Sequence, residues 1–192
     1  EFDLAILDDG FQDYKIKKDL NILCFHNKQL VGNGYVFPSG PLRENLSSIK
    51  NAQIAMINGD KNTNFESILK KINSQIQIFY FKYKLKNREN FKNKNILAFA
   101  GIGNPENFFD FLVENELNIK RSISFPDHYD FKKKEILDII DQAKSKNYTV
   151  VTTEKDFLRI KNLELSGITP CVINLEILKK NKLISLIKKI YD

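Results

Sequence analysis

Short apolar runs alternate with polar and turn-forming segments along the chain, and most runs are too short to be buried helices. Phe2-Asp3-Leu4-Ala5-Ile6-Leu7 stops at Asp8, Asp9 and Gly10. That pattern predicts a buried parallel strand presenting acid groups at the carboxyl edge of a sheet, where such sheets bind ligands. Asn21-Ile22-Leu23-Cys24-Phe25 predicts a second strand alongside it, and Ile54-Ala55-Met56-Ile57 a third that ends in a turn at Asn58-Gly59. Phe65 to Ile72 has helical spacing with Lys70 and Lys71 outward. Ile76 to Leu85 is rich in β-formers and partly alternates, which predicts an exposed connecting strand.

A second series begins after the polar stretch 86–94. Ile96 to Ala100 reads as a buried strand, Gly101-Ile102-Gly103 as a tight turn, and Asn104-Pro105 as the cap and first residue of a helix running through Phe108, Phe109, Phe111 and Leu112. Ser122 to Phe125 ends the next strand, and residues 131–143 form a helix with Ile136, Leu137, Ile139 and Ile140 on its apolar side. Tyr148 to Thr153 is a β-branched strand, a helix follows from Glu154, Cys171 to Leu175 is a last strand, and Lys182 to Tyr191 a terminal amphipathic helix. Strands alternating with helices imply an α/β fold with a parallel sheet covered on both faces. The expected division is a first domain over 1–75, a β linker over 76–94 and an α/β domain over 95–192.

Composition narrows this picture in three ways. A chain of 192 residues with 42% hydrophobic content can build a substantial core in one domain or two small ones. The net charge of +6 admits nucleic acid or an anionic membrane surface as partner. The lysines are spread along the whole chain and no RNA- or DNA-binding motif accompanies them, so no nucleic-acid partner is expected. The aromatic and basic residues interleaved from Phe79 to Lys84 leave one opening for that alternative, as a stacking platform. Cys24 and Cys171 lie outside any metal-binding spacing and read as reduced core residues suited to a cytosolic setting. No apolar run approaches the ~18 residues of a membrane-spanning helix.

Several positions carry candidate chemistry, each beside a plainer structural reading. Asp8 and Asp9 at a strand end supply hard oxygen ligands suited to Mg²⁺, or they begin an Asp-Gly turn. Gly32 to Pro41 is a long loop dense in glycine and proline, ending in Arg43 and Glu44. Arg43 offers a charged fork for phosphate oxygens and Glu44 another hard ligand, or the two form an exposed ion pair at a helix start. Gly101-x-Gly103 before a helix can cradle an anion, or it is a tight connection. His128 is able to accept or relay a proton, or is a loop histidine held by Asp127. Glu154-Lys155-Asp156 at a helix start reads as capping, and His26 receives no role.

Six blocks in order make the chain resemble the tetraacyldisaccharide 4'-kinase family, the lipid A 4'-kinases of Gram-negative bacteria: Asp8-Asp9-Gly10-Phe11-Gln12, Gly32-Asn33-Gly34, Pro38-Ser39-Gly40-Pro41-Leu42-Arg43-Glu44, Ala98 to Pro105, Phe125-Pro126-Asp127-His128 and Thr153-Glu154-Lys155-Asp156. The resemblance covers essentially the whole chain. It departs in two places. Asp13 stands where the family's first motif has a histidine, and the family's Gly-x-x-x-x-Gly-Lys-Thr loop has no match here. The expectation is therefore a carboxy-terminal portion of a longer protein, inactive alone.

The resemblance implies a remnant of a P-loop NTPase-like sheet domain, followed through a β linker by a smaller Rossmann-like parallel α/β domain. It implies transfer of the γ-phosphoryl of ATP, with Mg²⁺, to the 4'-hydroxyl of a tetraacyldisaccharide 1-phosphate. The alternative is a non-kinase α/β nucleotide-binding module. By the same resemblance, Asp9 and Glu44 would hold the metal and Asp8 would be a second ligand or orienting group. Arg43 would bind phosphate, Gln12 would give an ancillary polar contact to the nucleotide, and His128 would partner the proton acceptor. The expected setting is peripheral, on the cytoplasmic face of the bacterial inner membrane. The lipid disaccharide would be met at the membrane surface, and the protein would be a monomer.

Overall fold

A computed structural model describes residues 3–189. Its elements, in chain order, are β1 (Ile22–His26), β2 (Ile54–Asn58), α1 (Thr63–Ile72), β3 (Gln77–Leu85), β4 (Asn95–Ala100), α2 (Pro105–Glu114), β5 (Asn118–Ser124), α3 (Lys133–Ser145), β6 (Tyr148–Thr153), α4 (Glu154–Ile160), β7 (Ile168–Cys171), β8 (Ile173–Ile177) and α5 (Lys180–Lys188). They form two four-stranded sheets and two compact units, Glu1–Tyr83 with Leu175–Asp192, and Lys84–Asn174.

The first unit's sheet has the order β1-β2-β3-β8, with β1, β2 and β3 parallel. Side chains alternate between its two faces, and both faces are covered. Ala55 and Ile57 of β2 and Tyr80 of β3 meet Phe65 and Leu69 of α1. Ile54, Met56, Phe79 and Phe81 face the other way, onto Leu183 of α5. A strand buried on both sides reads as a near-continuous apolar run, which corrects the expectation of an exposed connecting strand. Phe79, Tyr80 and Phe81 are core, so they form no open stacking platform.

Two further expectations are corrected. The run before Asp8 is not a strand: residues 4–7 lack regular structure, and Ile6 is 85% exposed. A strand exists only where a neighbour supplies its ladder, and this segment pairs with none of the described strands. Phe2 lies outside the described residues. The predicted strand Cys171–Leu175 is instead two strands, β7 in the second sheet and β8 in the first. Asn87 holds the break: its side chain donates to Pro170 O (2.9 Å) and accepts from Val172 N (3.0 Å). Pro170 lacks an N–H and is tolerated because β7 is an edge strand. From Leu175 the chain belongs to the first unit, where Leu178 N donates to Tyr80 O at 2.8 Å. The α/β domain expected over 95–192 thus gives its last segment to the other unit. The terminal helix, expected to reach Tyr191, is α5, and Tyr191 lies outside the described residues.

The second unit is the parallel α/β arrangement expected. Its sheet runs β5-β4-β6-β7, with β4 parallel to β5 and β6, and β6 parallel to β7. The inner strand β4 is buried from Ile96 to Ala100. Ile96, Ala98 and Ala100 pack on Phe108, Phe109 and Leu112 of α2. Leu97 and Phe99 pack on Ile136, Ile139 and Ile140 of α3. Asn104 caps α2 as its sequence requires, its side chain accepting from Asn107 N at 3.2 Å ahead of Pro105.

Candidate active site

In the first unit the candidate residues lie on two loops. Asp8 and Asp9 form an exposed turn, and Asp9 takes a left-handed backbone (φ 57°), a conformation that Asp tolerates better than most residues. Gly10 follows where a Cβ would come within 2.5 Å of Leu7 Cβ, so the turn closes only with glycine. Lys18 reaches back and donates to the carbonyls of Gly10, Phe11 and Asp13, which holds residues 10–13 as one piece. Asp13 supports the same loop, its carboxylate accepting from Lys15 N at 3.1 Å in an Asx-type turn. Gln12 is half-buried, and its carbonyl accepts from Tyr14 N at 3.0 Å.

The second loop runs from Gly32 to Glu44 and closes on itself. Phe37 N donates to Leu42 O (2.8 Å), Leu42 N to Tyr35 O (3.2 Å), and Asn33 Nδ2 to Ser39 O (2.8 Å). Gly40 is packed so tightly that a Cβ would meet Tyr35 O at 2.3 Å. A rigid loop presents Arg43 and Glu44 at its end, and both meet the first loop. Arg43 Nη1 lies 2.6 Å from Asp9 Oδ2, while Tyr14 Oη lies 2.8 and 2.7 Å from the two oxygens of Glu44. The Glu44 hydrogen bond, then burial and then the Glu44 charge raise the Tyr14 pKa. An open depression beside Tyr14 is lined by Phe11, Lys18, Asn51 and Gln53.

Asp9, exposed, and Glu44, half-buried, are carboxylates with the hard-oxygen chemistry that Mg²⁺ prefers, and that ion is commonly held by one or two carboxylates with water and substrate phosphates. The donor set fits such an ion, although here Asp9 is engaged by Arg43 and Glu44 by Tyr14. Among the described residues, no group of three or more His, Cys, Asp or Glu side chains gathers to hold a metal alone.

His128 belongs to the second unit. Its loop is held against the end of β4 by an aromatic cluster: Phe99 packs edge-on to Phe125 and Phe131, and Tyr129 contacts both of the latter. Gly101 allows the approach, since a Cβ there would meet Phe131 Cζ at 3.0 Å. Tyr129 Oη donates to Glu135 at 2.8 Å, and Glu135 also accepts from Lys132 N at 3.1 Å. The Lys132 N–H and then the Tyr129 hydroxyl hold the Glu135 carboxyl below its usual range. His128 itself has a left-handed backbone (φ 58°) and an exposed ring. Its backbone N–H donates to Asp127 Oδ1 at 2.9 Å, and its ring Nδ1 lies 3.0 Å from Arg159 Nη2.

The sequence profile of the family described as tetraacyldisaccharide-1-P 4'-kinase (LpxK) matches residues 1–192. The chain belongs to this family. It is 42% identical over 195 residues to the tetraacyldisaccharide 4'-kinase of Pelagibacter ubique, a match covering 98% of this chain and 62% of that protein. The corresponding protein of Rickettsia felis is 34% identical over 193 residues, covering 93% of this chain and 57% of the relative. The chain thus spans roughly three fifths of the length of these relatives. Among solved structures it resembles the "apo" form of LpxK from Aquifex aeolicus in complex with ATP, with a TM-score of 0.66 at 24% identity, over 95% of this chain and 56% of that one. That likeness supports the mixed α/β fold.

Tyr14, Lys18, Asp156 and Arg159 were not legible as site residues. Tyr14 and Lys18 follow the first motif without a pattern of their own. Thr153 and Asp156 do carry a signal, a hydroxyl followed three residues later by an acid, and they form the cap it implies: Asp156 N donates to Thr153 Oγ1 at 3.0 Å. What spacing could not give is the second task of the Asp156 carboxylate, which accepts from Gly101 N at 3.0 Å across the sheet edge.

Proposed function

We propose that this chain is a portion of an ATP-dependent kinase that phosphorylates the 4'-hydroxyl of a tetraacyldisaccharide 1-phosphate in lipid A biosynthesis. The observation that carries this reading is the family match over all 192 residues. The ATP named with the Aquifex aeolicus structure supports that nucleotide as phosphoryl donor. The first unit is read as part of a P-loop NTPase-like domain, in keeping with its three parallel strands, and the second as a Rossmann-like domain.

Phosphoryl transfer asks little covalent chemistry of a protein; it asks for neutralised charge and a hydroxyl held in line. Arg43 spends one nitrogen on Asp9 and keeps further donors of its fork for phosphate oxygens. Asp9 and Glu44 would hold Mg²⁺, with Asp8 on the same turn orienting them, and the ion would supply charge neutralisation on the phosphates. Gln12 is assigned a polar contact to nucleotide, and His128 a place beside the group that takes the hydroxyl proton. No helix among the described residues is long and apolar enough to cross a membrane, so contact with the inner membrane's cytoplasmic face would be peripheral from this portion. The protein is read as a monomer.

The test is a chimera in which this chain replaces the matching region of the Pelagibacter ubique relative. Labelled phosphate passing from ATP to the 4'-position of tetraacyldisaccharide 1-phosphate is the expected result. A folded chimera that binds ATP without transfer would instead favour a non-kinase nucleotide-binding module.

A further inference from the structure

Arg159 sits at the centre of a network that ends on His128. The Asp156 carboxylate is completely buried, yet each of its oxygens is satisfied. Oδ2 accepts from Gly101 N (3.0 Å) and Thr153 Oγ1 (2.8 Å), and Oδ1 accepts from Arg159 Nη1 (3.1 Å). The same Nη1 donates to Gly101 O at 2.8 Å. With one side of its fork fixed by a buried charge and a backbone carbonyl, Arg159 points the other nitrogen, Nη2, at His128 Nδ1, 3.0 Å away.

A guanidinium has donors and no acceptor, and it stays charged. A contact with a ring nitrogen is therefore a hydrogen bond only if that nitrogen is unprotonated. We infer that Asp156 and Arg159 are positioning residues that lock neutral His128 in the tautomer with its proton on Nε2. His128 then faces its partner as an N–H donor at Nε2, and its remaining lone pair, on Nδ1, is occupied by Arg159. The ring can take up a proton only by giving up the Arg159 contact, because imidazolium has two donors and nothing to offer a guanidinium. This deepens the kinase reading and rests on it for its consequence. His128 would steady an anionic oxygen, on the group that takes the proton or on phosphate, and would not itself be the base.

The tautomer is measurable without any activity. Long-range proton–nitrogen NMR of the labelled chain reads both ring nitrogens of each histidine. There are two histidines, and a His26→Gln variant assigns them. In the neutral form His128 should be held as the Nε2–H tautomer, and Arg159→Met should reduce that bias about fivefold, the scale of one partly exposed charge-assisted hydrogen bond. Arg159→Lys, which keeps charge and stem but loses the fork, should fall between them and serves if the Met variant folds poorly. A dominant Nδ1–H tautomer in the unsubstituted chain, or an unchanged ratio in both variants, would overturn the inference. A chimera without kinase activity would leave this result untouched, so the two ideas fail separately.

Discussion

Arg43 Nη1 and Asp9 Oδ2 meet at 2.6 Å although the residues lie 34 positions apart, and both side chains remain about two thirds exposed. An ion pair this open contributes at most about 1 kcal/mol. Arg43→Ala should therefore change the unfolding free energy by less than about 1 kcal/mol in urea melts. In the active chimera the same substitution should lower turnover at least about a hundredfold, the scale lost with one preorganised donor to a developing charge. A large stability loss with normal turnover would make the pair structural.

Glu44→Ala and Asp9→Ala should each remove most turnover of the chimera while leaving the melting curve nearly unmoved, because Asp9 is exposed and Glu44 only half-buried. The check is a steady-state assay beside thermal unfolding. Near-normal rates in both variants would withdraw the metal assignment.

The Tyr14 hydroxyl is hydrogen-bonded to Glu44, and its folded-state pKa is raised above the ordinary value of 10.0. A raised folded pKa means the protonated form is favoured by folding. The associated stabilisation is fully present below pH 10.0 and is lost as pH rises through the folded pKa. An ultraviolet titration should show Tyr14, together with Tyr80 and Tyr129, ionising later in native protein than in urea, and Glu44→Gln should bring one of these tyrosines back toward the ordinary value. A titration that ignores the Glu44 substitution would contradict the contact.

Asp156 is a different case, since its carboxylate is buried and fully bonded. Removing one partner of a buried charged network costs roughly 3–5 kcal/mol. Asp156→Ala should lose that much in urea unfolding, far more than Arg43→Ala. A loss below about 1 kcal/mol would mean the network is not formed in solution.

The two thiols should separate by reactivity. Burial, with a smaller effect of the Glu154 charge, pushes the Cys171 thiol up to about 12. Cys24, expected in the core, is instead exposed on the edge strand β1, and partial burial of its thiol raises it in the same direction. A thiol reagent at neutral pH should modify Cys24 in native protein, and Cys171 only after unfolding. Equal rates for both would place Cys171 outside the core.

Local pattern carried much of this protein. The strand at Tyr148–Thr153, the Asn104-Pro105 helix start and the buried β4 follow from β-branching, capping chemistry and short apolar runs, which act within a few residues of where they are read. The motif blocks placed the chain in its family. Tertiary structure decided what depends on distant partners. It decided that Leu4 to Leu7 finds no ladder, that Phe79 to Phe81 is covered on both faces, and that the Cys171–Leu175 run divides between two sheets at the Asn87 clamp. It also decided that Arg43 turns to Asp9 and Arg159 to His128. A long charged side chain can reach several partners equally well as far as sequence spacing is concerned, and only the folded backbone selects one.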